Sequence, residues 1–232
     1  VLISQDRGEE PIFSSVRYFH LPFNSQLGYF LNAPYVARIL KFEQPDVLHA
    51  HYASGYGTLG RLCRYRPYVL SVWGSDVYNF PFKSRLHRFL LTQNLTHADQ
   101  VCSTSKVMAC QTNSILGSRK LDSIAITPFG IDVNRFKPNR TRTSDELIIG
   151  TVKTLEYKYG IDVLIRAFKW VVSQADAANA NRLRLLIVGG GSCRKNLEQL
   201  ANDIGIGHLT TFTGPVPHEK VPEMLNQLDI YV

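Results

Sequence analysis

The chain has 232 residues, 44% hydrophobic and 19% charged, which suits one large or two ordinary globular domains and excludes a disordered or fibrous chain. No stretch reaches the roughly 20 apolar residues of a spanning helix. The formal net charge of +7 lies in the first part, where residues 1–140 hold 16 Lys and Arg against 9 Asp and Glu while residues 141–232 hold 10 against 10; a basic half suits nucleic acid, an anionic membrane or a phosphorylated substrate without selecting among them.

In chain order, Val1–Ser4 reads as the end of a buried strand. Residues 27–43 place Leu27, Phe30, Leu31, Tyr35, Val36, Ile39 and Leu40 on a helical period, predicting an amphipathic helix stopped by Pro45. DVLHAH (46–51) is a strand, TLGRLCRY (58–65) a helix, YVLSVW (68–73) a strand and GSD (74–76) a turn. Residues 84–95 form a helix capped by Ser84. QVCSTS (100–105) is a strand, followed by a helix ended at Gly117 and the strand SIAITPFG (123–130). The polar KPNRTRTSDE (137–146) carries no apolar period and separates domains at 1–140 and 146–232. The rhythm then restarts with ELIIGTV (146–152), a helix over 161–175, RLRLLIVGGG (182–191), a helix over 194–205, HLTTFTG (208–214), a helix over 221–228 and DIYV (229–232). Strands alternating with helices predict an α/β chain of two Rossmann-like, doubly wound parallel sheets.

In such sheets ligands bind beyond the carboxyl ends of the strands, so the candidate residues are sought there. Gly150 is expected at a strand end, with Lys153 and Lys158 in the loop that follows, a setting for an anion or for two solvated lysines. LLIVGGGSCRKNL (185–197) offers Gly189, Gly190 and Gly191 as a phosphate or ribose cradle, or as a tight strand-to-helix turn. The third position of G-x-G-x-x-G is Arg194 and no acid follows the next strand, which disfavours NAD. His49 and His51 are expected on opposite faces of their strand with one buried, and His51, beside YASGYG (52–57), faces the ligand side. Asp76 accepts hydrogen bonds from sugar hydroxyls or caps its turn; Trp73 stacks on a sugar or fills core. Lys83, Arg85, His87 and Arg88 lie among Leu86, Phe89, Leu90 and Leu91 on a basic amphipathic helix that rests on an anionic membrane or packs its apolar side into the core. Arg64 and Arg66 would help at such a surface. The start VLISQDRGEE lacks a signal-peptide pattern. Cys63, Cys102, Cys110 and Cys193 form no C-x-x-C pair, which points away from zinc and toward reduced thiols in the cytoplasm.

The order of these segments, DVLHAH, SVWGSD, STS, ITPFGIDVNRFKP, GTVKTLEYKYGIDVLIRAF, LLIVGGGSCRKNLEQLA and LTTFTGPVPHEKVPEMLNQLDIYV, resembles family-4 retaining glycosyltransferases of the GT-B fold, of the type that builds bacterial surface polysaccharides. The resemblance covers essentially the whole chain. It implies a nucleotide diphosphate-sugar as donor substrate, no other cofactor, no metal and no nucleic acid partner. A glycan or lipid-linked acceptor and a place in the cytoplasm, peripheral at the inner membrane face, follow in the same way. By resemblance Lys153 and Lys158 grip the donor diphosphate, although the usual Lys-Gly pair reads Tyr159-Gly160 here. Gly214, Pro215 and Val216 lie where the family holds the nucleotide base. Asp76 falls in a segment that typically reads His-Gly-x-Asp, with Trp73 in place of the histidine, and Phe129 replaces a common asparagine. The resemblance also places a first strand with its glycine-rich loop before Val1, and two sugar- and ribose-binding glutamates after Val232, so both domains are expected to be incomplete and this length of chain to lack full activity. The competing readings are a nucleotide-sugar epimerase or phosphorylase of the same architecture, and a non-catalytic nucleotide-binding protein.

Overall fold

Apolar runs and periodic helices become parallel sheets and covering helices in the computed structural model, which describes residues 1–6, 15–139 and 145–232. The chain divides into two units, Val1–Gly130 and Ile131–Val232.

In the first unit, β1 (Leu2–Ser4) and β2 (Tyr18–His20) pair in parallel as a small sheet of their own. α1 (Gly28–Leu31) and α2 (Ala33–Glu43) follow, then β3 (Leu48–His51), α3 (Gly55–Cys63), β4 (Tyr68–Val72) and α4 (Ser75–Tyr78). α5 (Arg85–His97), β5 (Gln100–Ser103), α6 (Lys106–Leu116) and β6 (Ala125–Ile126) complete it. The four later strands form one parallel sheet in the order β3-β4-β5-β6. Its core joins Leu70 and Val72 of β4 to Leu91 and Leu95 of α5. Each such side chain, fully buried, contributes about 1.5–3 kcal/mol.

The second unit runs β7 (Leu147–Val152), α7 (Ile161–Gln174), α8 (Ala177–Ala180), β8 (Leu183–Val188), α9 (Arg194–Asp203), β9 (Thr210–Gly214), α10 (Val221–Leu225) and β10 (Ile230–Tyr231). Its sheet is again parallel, in the order β10-β7-β8-β9. Ile165 and Phe168 of α7 pack with Leu185 and Ile187 of β8 and Leu197 of α9. Among the described residues no helix is long and apolar enough to cross a membrane.

Three expectations change. The helix over 27–43 is broken at Asn32, because that buried side chain donates to Phe23 O (2.9 Å) and accepts from Phe23 N (3.3 Å), and Pro34 sits in the first turn of α2. Of its apolar residues Val36 and Leu40 are buried, whereas Leu27, Phe30, Leu31 and Tyr35 are exposed. β1 is part-buried rather than buried, with Leu2 exposed and Ile3 packed against Leu21, Val36, Leu40 and Leu59. The domain division lies at Gly130/Ile131, earlier than the polar stretch 137–146 suggests. Residues 131–139 pack with the second unit: Asn226 Nδ2 donates to Lys137 O (3.2 Å) and Asn139 N donates to Asn226 Oδ1 (2.7 Å). Residues 140–144 of that stretch lie outside the described residues.

Candidate functional site

At the carboxyl edge of the second sheet three loops lock together through backbone groups. Lys153 N donates to Val188 O (2.9 Å) and Leu155 N to Gly190 O (2.9 Å), joining the loop after β7 to the glycine turn after β8. Gly189 N donates to Gly214 O (2.9 Å), joining that turn to the loop after β9, and Pro215 abuts Gly190. Lys153, Lys158, Gly189, Gly190, Gly214, Pro215 and Val216 therefore share one edge. Gly189 has φ +140°, and a Cβ there would lie 2.0 Å from Lys153 O, so only glycine allows the two loops to meet. The triplet is thus first a close-packed turn. Arg194, in the position of a third glycine, donates to Phe212 O (3.3 Å) and pairs with Glu198 (2.7 Å).

Gly150 stands apart from this set. It lies inside β7, buried, and a Cβ would meet Leu186 O at 2.2 Å. Close strand packing explains the glycine, and the expected strand-end role is corrected.

The two lysines converge on one ring. Lys153 Nζ lies 4.5 Å and Lys158 Nζ 5.0 Å from the Tyr159 ring centroid, so each ammonium is held by the aromatic face and neither has an ion-pair partner among the described residues. The one-residue shift from Lys-Gly to Lys-Tyr-Gly is accommodated in this way, with Gly160 at φ +65° opening α7. Sequence reasoning missed Glu156. Its carboxylate accepts from Ser192 N (3.0 Å) and Ser192 Oγ (2.8 Å), tying the lysine loop to the start of α9, and those bonds hold its pKa below the usual 4.5. The spacing of 36 residues carries no local signal for that pair.

In the first unit Asp76 is 0% exposed. Its carboxylate accepts from Ala53 N (2.8 Å), Gly74 N (2.8 Å) and Trp73 N (3.1 Å). The side chain pins the loop after β3 to the loop after β4 and has no exposed face for a sugar hydroxyl; of the two expected roles the structure shows the turn-holding one, and a reacting role for Asp76 is corrected to a positioning one. GSD is accordingly Gly74 followed by the first residues of α4, whose start carries Asp76.

His49 and His51 face the same side, because residues two apart on a strand do so. Ala50 between them is the buried residue. Their rings stand 4.0 Å apart, and His49 Nε2 contacts Ser71 Oγ at 2.8 Å. Desolvation lowers both pKa values from 6.5, with His51 adding to the shift at His49, so both rings are neutral at pH 7. His51 continues into Trp73 at 5.3 Å, and Trp73 meets the Phe129 ring edge-on at 5.3 Å. Trp73 and Phe129, the first unit's two departures from the family pattern, touch each other and are both exposed. They form an aromatic wall beyond β3, β4 and β6 with His51 at its inner end.

On α5, Ser84 caps the helix as expected, accepting from His87 N (3.3 Å). Lys83 and Arg85 are exposed; Arg88 donates to Ile115 O (3.0 Å) and leans on α6. Arg66 pairs with Asp99 and so does not stand as a free cation beside α5, while the backbone of Arg64 forms the left-handed cap of α3.

The family model described as "Glycosyl transferase 4-like" matches residues 1–105, and that described as "Glycosyl transferases group 1" matches residues 132–232. An uncharacterized glycosyltransferase of Methanocaldococcus jannaschii, MJ1607, is 26% identical over 212 residues, 84% of this chain and 53% of that protein. The phosphatidylinositol N-acetylglucosaminyltransferase GPI3 subunit of Saccharomyces cerevisiae is 25% identical over 242 residues, 97% of this chain and 52% of that protein. The chain thus spans about half the length of these curated relatives. The crystal structure of Anabaena Alr3699/HepE in complex with UDP superposes with a TM-score of 0.70 at 16% identity, covering 93% of this chain and 59% of that one; the likeness is one of fold.

Proposed function

The chain belongs to the family-4-like glycosyltransferases of GT-B fold, and on that premise we propose that the protein moves a sugar from a nucleotide diphosphate donor to a glycan or lipid-linked acceptor, with retention at the anomeric carbon. The work belongs to cell-surface polysaccharide synthesis, carried out in the cytoplasm at the inner membrane face. The observation that carries the reading is the second sheet's carboxyl edge, where three interlocked loops present Lys153 and Lys158 around Tyr159.

Bond breaking at the anomeric carbon leaves its electrons on the departing diphosphate. Lys153, Lys158 and the loop N–H groups stabilise that charge as it grows, with dipoles already in place before reaction. The Gly214–Val216 loop holds the base, and Gly190, in the turn that Gly189 locks against the lysine loop, brings the backbone close to the phosphates. The acceptor enters at the first unit's wall, where neutral His51 accepts a hydrogen bond from the incoming hydroxyl and Trp73 offers a face to its ring. Asp76 keeps both loops of that wall in place.

Calorimetric titration with UDP and with GDP tests the donor site. The chain should bind at least one of them, and Lys153→Ala should weaken binding by about 1.5–3 kcal/mol, the loss of a charge-assisted hydrogen bond. Affinity unchanged in both Lys153→Ala and Lys158→Ala removes the donor from this edge.

A further inference from the structure

The loop after β7 has a fixed backbone and two unattached cations. Leu155, 0% exposed, donates its N–H to Gly190 O (2.9 Å) and accepts from Cys193 N (3.0 Å). Lys153 N is bonded to Val188 O (2.9 Å), and the Glu156 carboxylate is committed to Ser192. Gly160 N closes the 3₁₀ turn Tyr157–Tyr159 on Tyr157 O (3.2 Å). The Lys153 and Lys158 side chains are exposed, and their ammoniums donate no hydrogen bond among the described residues. A lysine in that state samples many rotamers, and a ligand that needs it in one place meets the entropic cost on binding. What gathers the two is the Tyr159 ring, 4.5 Å from Lys153 Nζ and 5.0 Å from Lys158 Nζ.

The position of the second lysine makes such a device necessary. A 3₁₀ turn advances a third of a circle per residue, so a side chain at 158 leaves the backbone about 120° away from one at 159. Tyr159 stands next to Gly160, where the resemblance puts a lysine, and its ring draws Lys158 back toward Lys153. A ring does this in a way that a carboxylate could not. Its quadrupole attracts an ammonium without cancelling the charge, and the three N–H donors stay available to an anion. Glu156, the acid in the same loop, is turned away to Ser192 and leaves that charge uncancelled.

We propose that Tyr159 is a positioning residue for donor binding, whose ring holds the Lys153 and Lys158 ammoniums together, charged and with donors unused, before the diphosphate arrives. It thereby stands in for the lysine missing beside Gly160. The ring acts through the two lysines and touches no reacting atom. This deepens the donor reading and rests on it for the diphosphate, whereas the ring contact belongs to the free protein.

The test compares wild type with Tyr159→Leu, which removes the ring, and Tyr159→Phe, which keeps the ring and removes the hydroxyl. In NMR spectra of the free chain, the ε-methylene protons of both lysines are assigned with Lys153→Ala and Lys158→Ala. They should be shifted upfield by the ring current in wild type and Tyr159→Phe, and return to the position of a solvated lysine in Tyr159→Leu. In calorimetric titrations with UDP and GDP, Tyr159→Leu should bind about fivefold more weakly and Tyr159→Phe within about twofold of wild type. Melting temperatures should agree, since Tyr159 is 39% exposed. Lys158→Ala should cost less affinity in the Tyr159→Leu background than in wild type, which a merely structural tyrosine would not produce. Unshifted lysine protons in wild type overturn the contact. Tyr159→Phe as weak as Tyr159→Leu assigns the effect to the hydroxyl and overturns the ring, and additive losses overturn the positioning. Lysine variants that weaken binding while Tyr159→Leu binds normally overturn this inference alone. Lysine variants without effect, or a wild type that binds neither nucleotide, overturn the donor reading whatever the spectra show.

Discussion

The carboxyl edges of the two sheets are built by opposite means. At the second, backbone and glycine do the positioning, Lys153 N to Val188 O and Gly189 N to Gly214 O, and the charged side chains are left free for a ligand. At the first, a charged side chain does the positioning: the Asp76 carboxylate gathers three backbone N–H groups, and the groups left outside are aromatic. The difference matches a division between gripping an anion, which needs unpaired cations, and seating a ring or a chain, which needs flat apolar surface. It also warns that an acid after a strand is not thereby a reacting group.

The largest effect should come from the glycine edge. Gly189→Ala forces a Cβ to within 2.0 Å of Lys153 O at a backbone angle that alanine rarely adopts. Strain and clash together should lower the second unit's stability by about 3–4 kcal/mol, read by urea denaturation. A loss below about 1 kcal/mol would mean that the loops part easily and that the turn is open to ligand instead. Asp76→Ala should follow closely, at about 3 kcal/mol, because three N–H groups lose their acceptor. An unaffected first unit with lost activity would return Asp76 to the reacting groups and erase the contrast.

A smaller effect concerns the aromatic wall. Trp73 and Phe129 are exposed, so replacing either by alanine should change stability by less than about 1 kcal/mol, and a double-mutant cycle should give about 0.5–1.5 kcal/mol of coupling. Additive effects would show that the pair is accidental. In the protein at the full length of its relatives, either change should raise the acceptor KM and leave the affinity for the nucleoside diphosphate as it was.

The parallel α/β rhythm could be read from the chain because its signals are local. ELIIGTV becomes β7, the period over 161–175 becomes α7, and Ser84 and Gly117 cap α5 and α6 as expected. What escaped depends on partners far along the chain. The break at Asn32 answers to Phe23, and Asp76 is occupied by Ala53 N across 23 residues. Gly150 and Gly189 mark packing against Leu186 and Lys153, which a glycine in a sequence does not distinguish from a phosphate cradle. The error at His49 and His51 was of another kind, since strand alternation alone puts residues two apart on one face. The exposed stripe of Phe82, Leu86 and Phe89 is visible as apolar spacing, but which side of α5 meets the core is set by where α3 and α6 pack.

The two histidines carry the last and smallest prediction. Desolvation lowers both pKa values below 6.5, with His51 adding to the shift at His49, so in acid the folded first unit binds fewer protons than the unfolded chain. Stability then falls with falling pH: the contribution is intact above about pH 6.5 and is lost as pH drops from there toward the folded-state values. His97 in the same unit is lowered too, first by desolvation and then by Arg66 and Arg61, and it adds to the same trend. Melting temperature measured from pH 8 to pH 5 should therefore decline on the acid side, and the His49→Gln, His51→Gln double variant should decline less steeply, keeping only the part that His97 and the carboxylates supply. With rings 4.0 Å apart, the second protonation meets the first charge, so either single variant should recover more than half of what the double recovers. An acid limb identical in wild type and double variant would mean that both rings stay well hydrated. It would remove the argument that His51 stands neutral beside Trp73, ready to accept a hydrogen bond at pH 7.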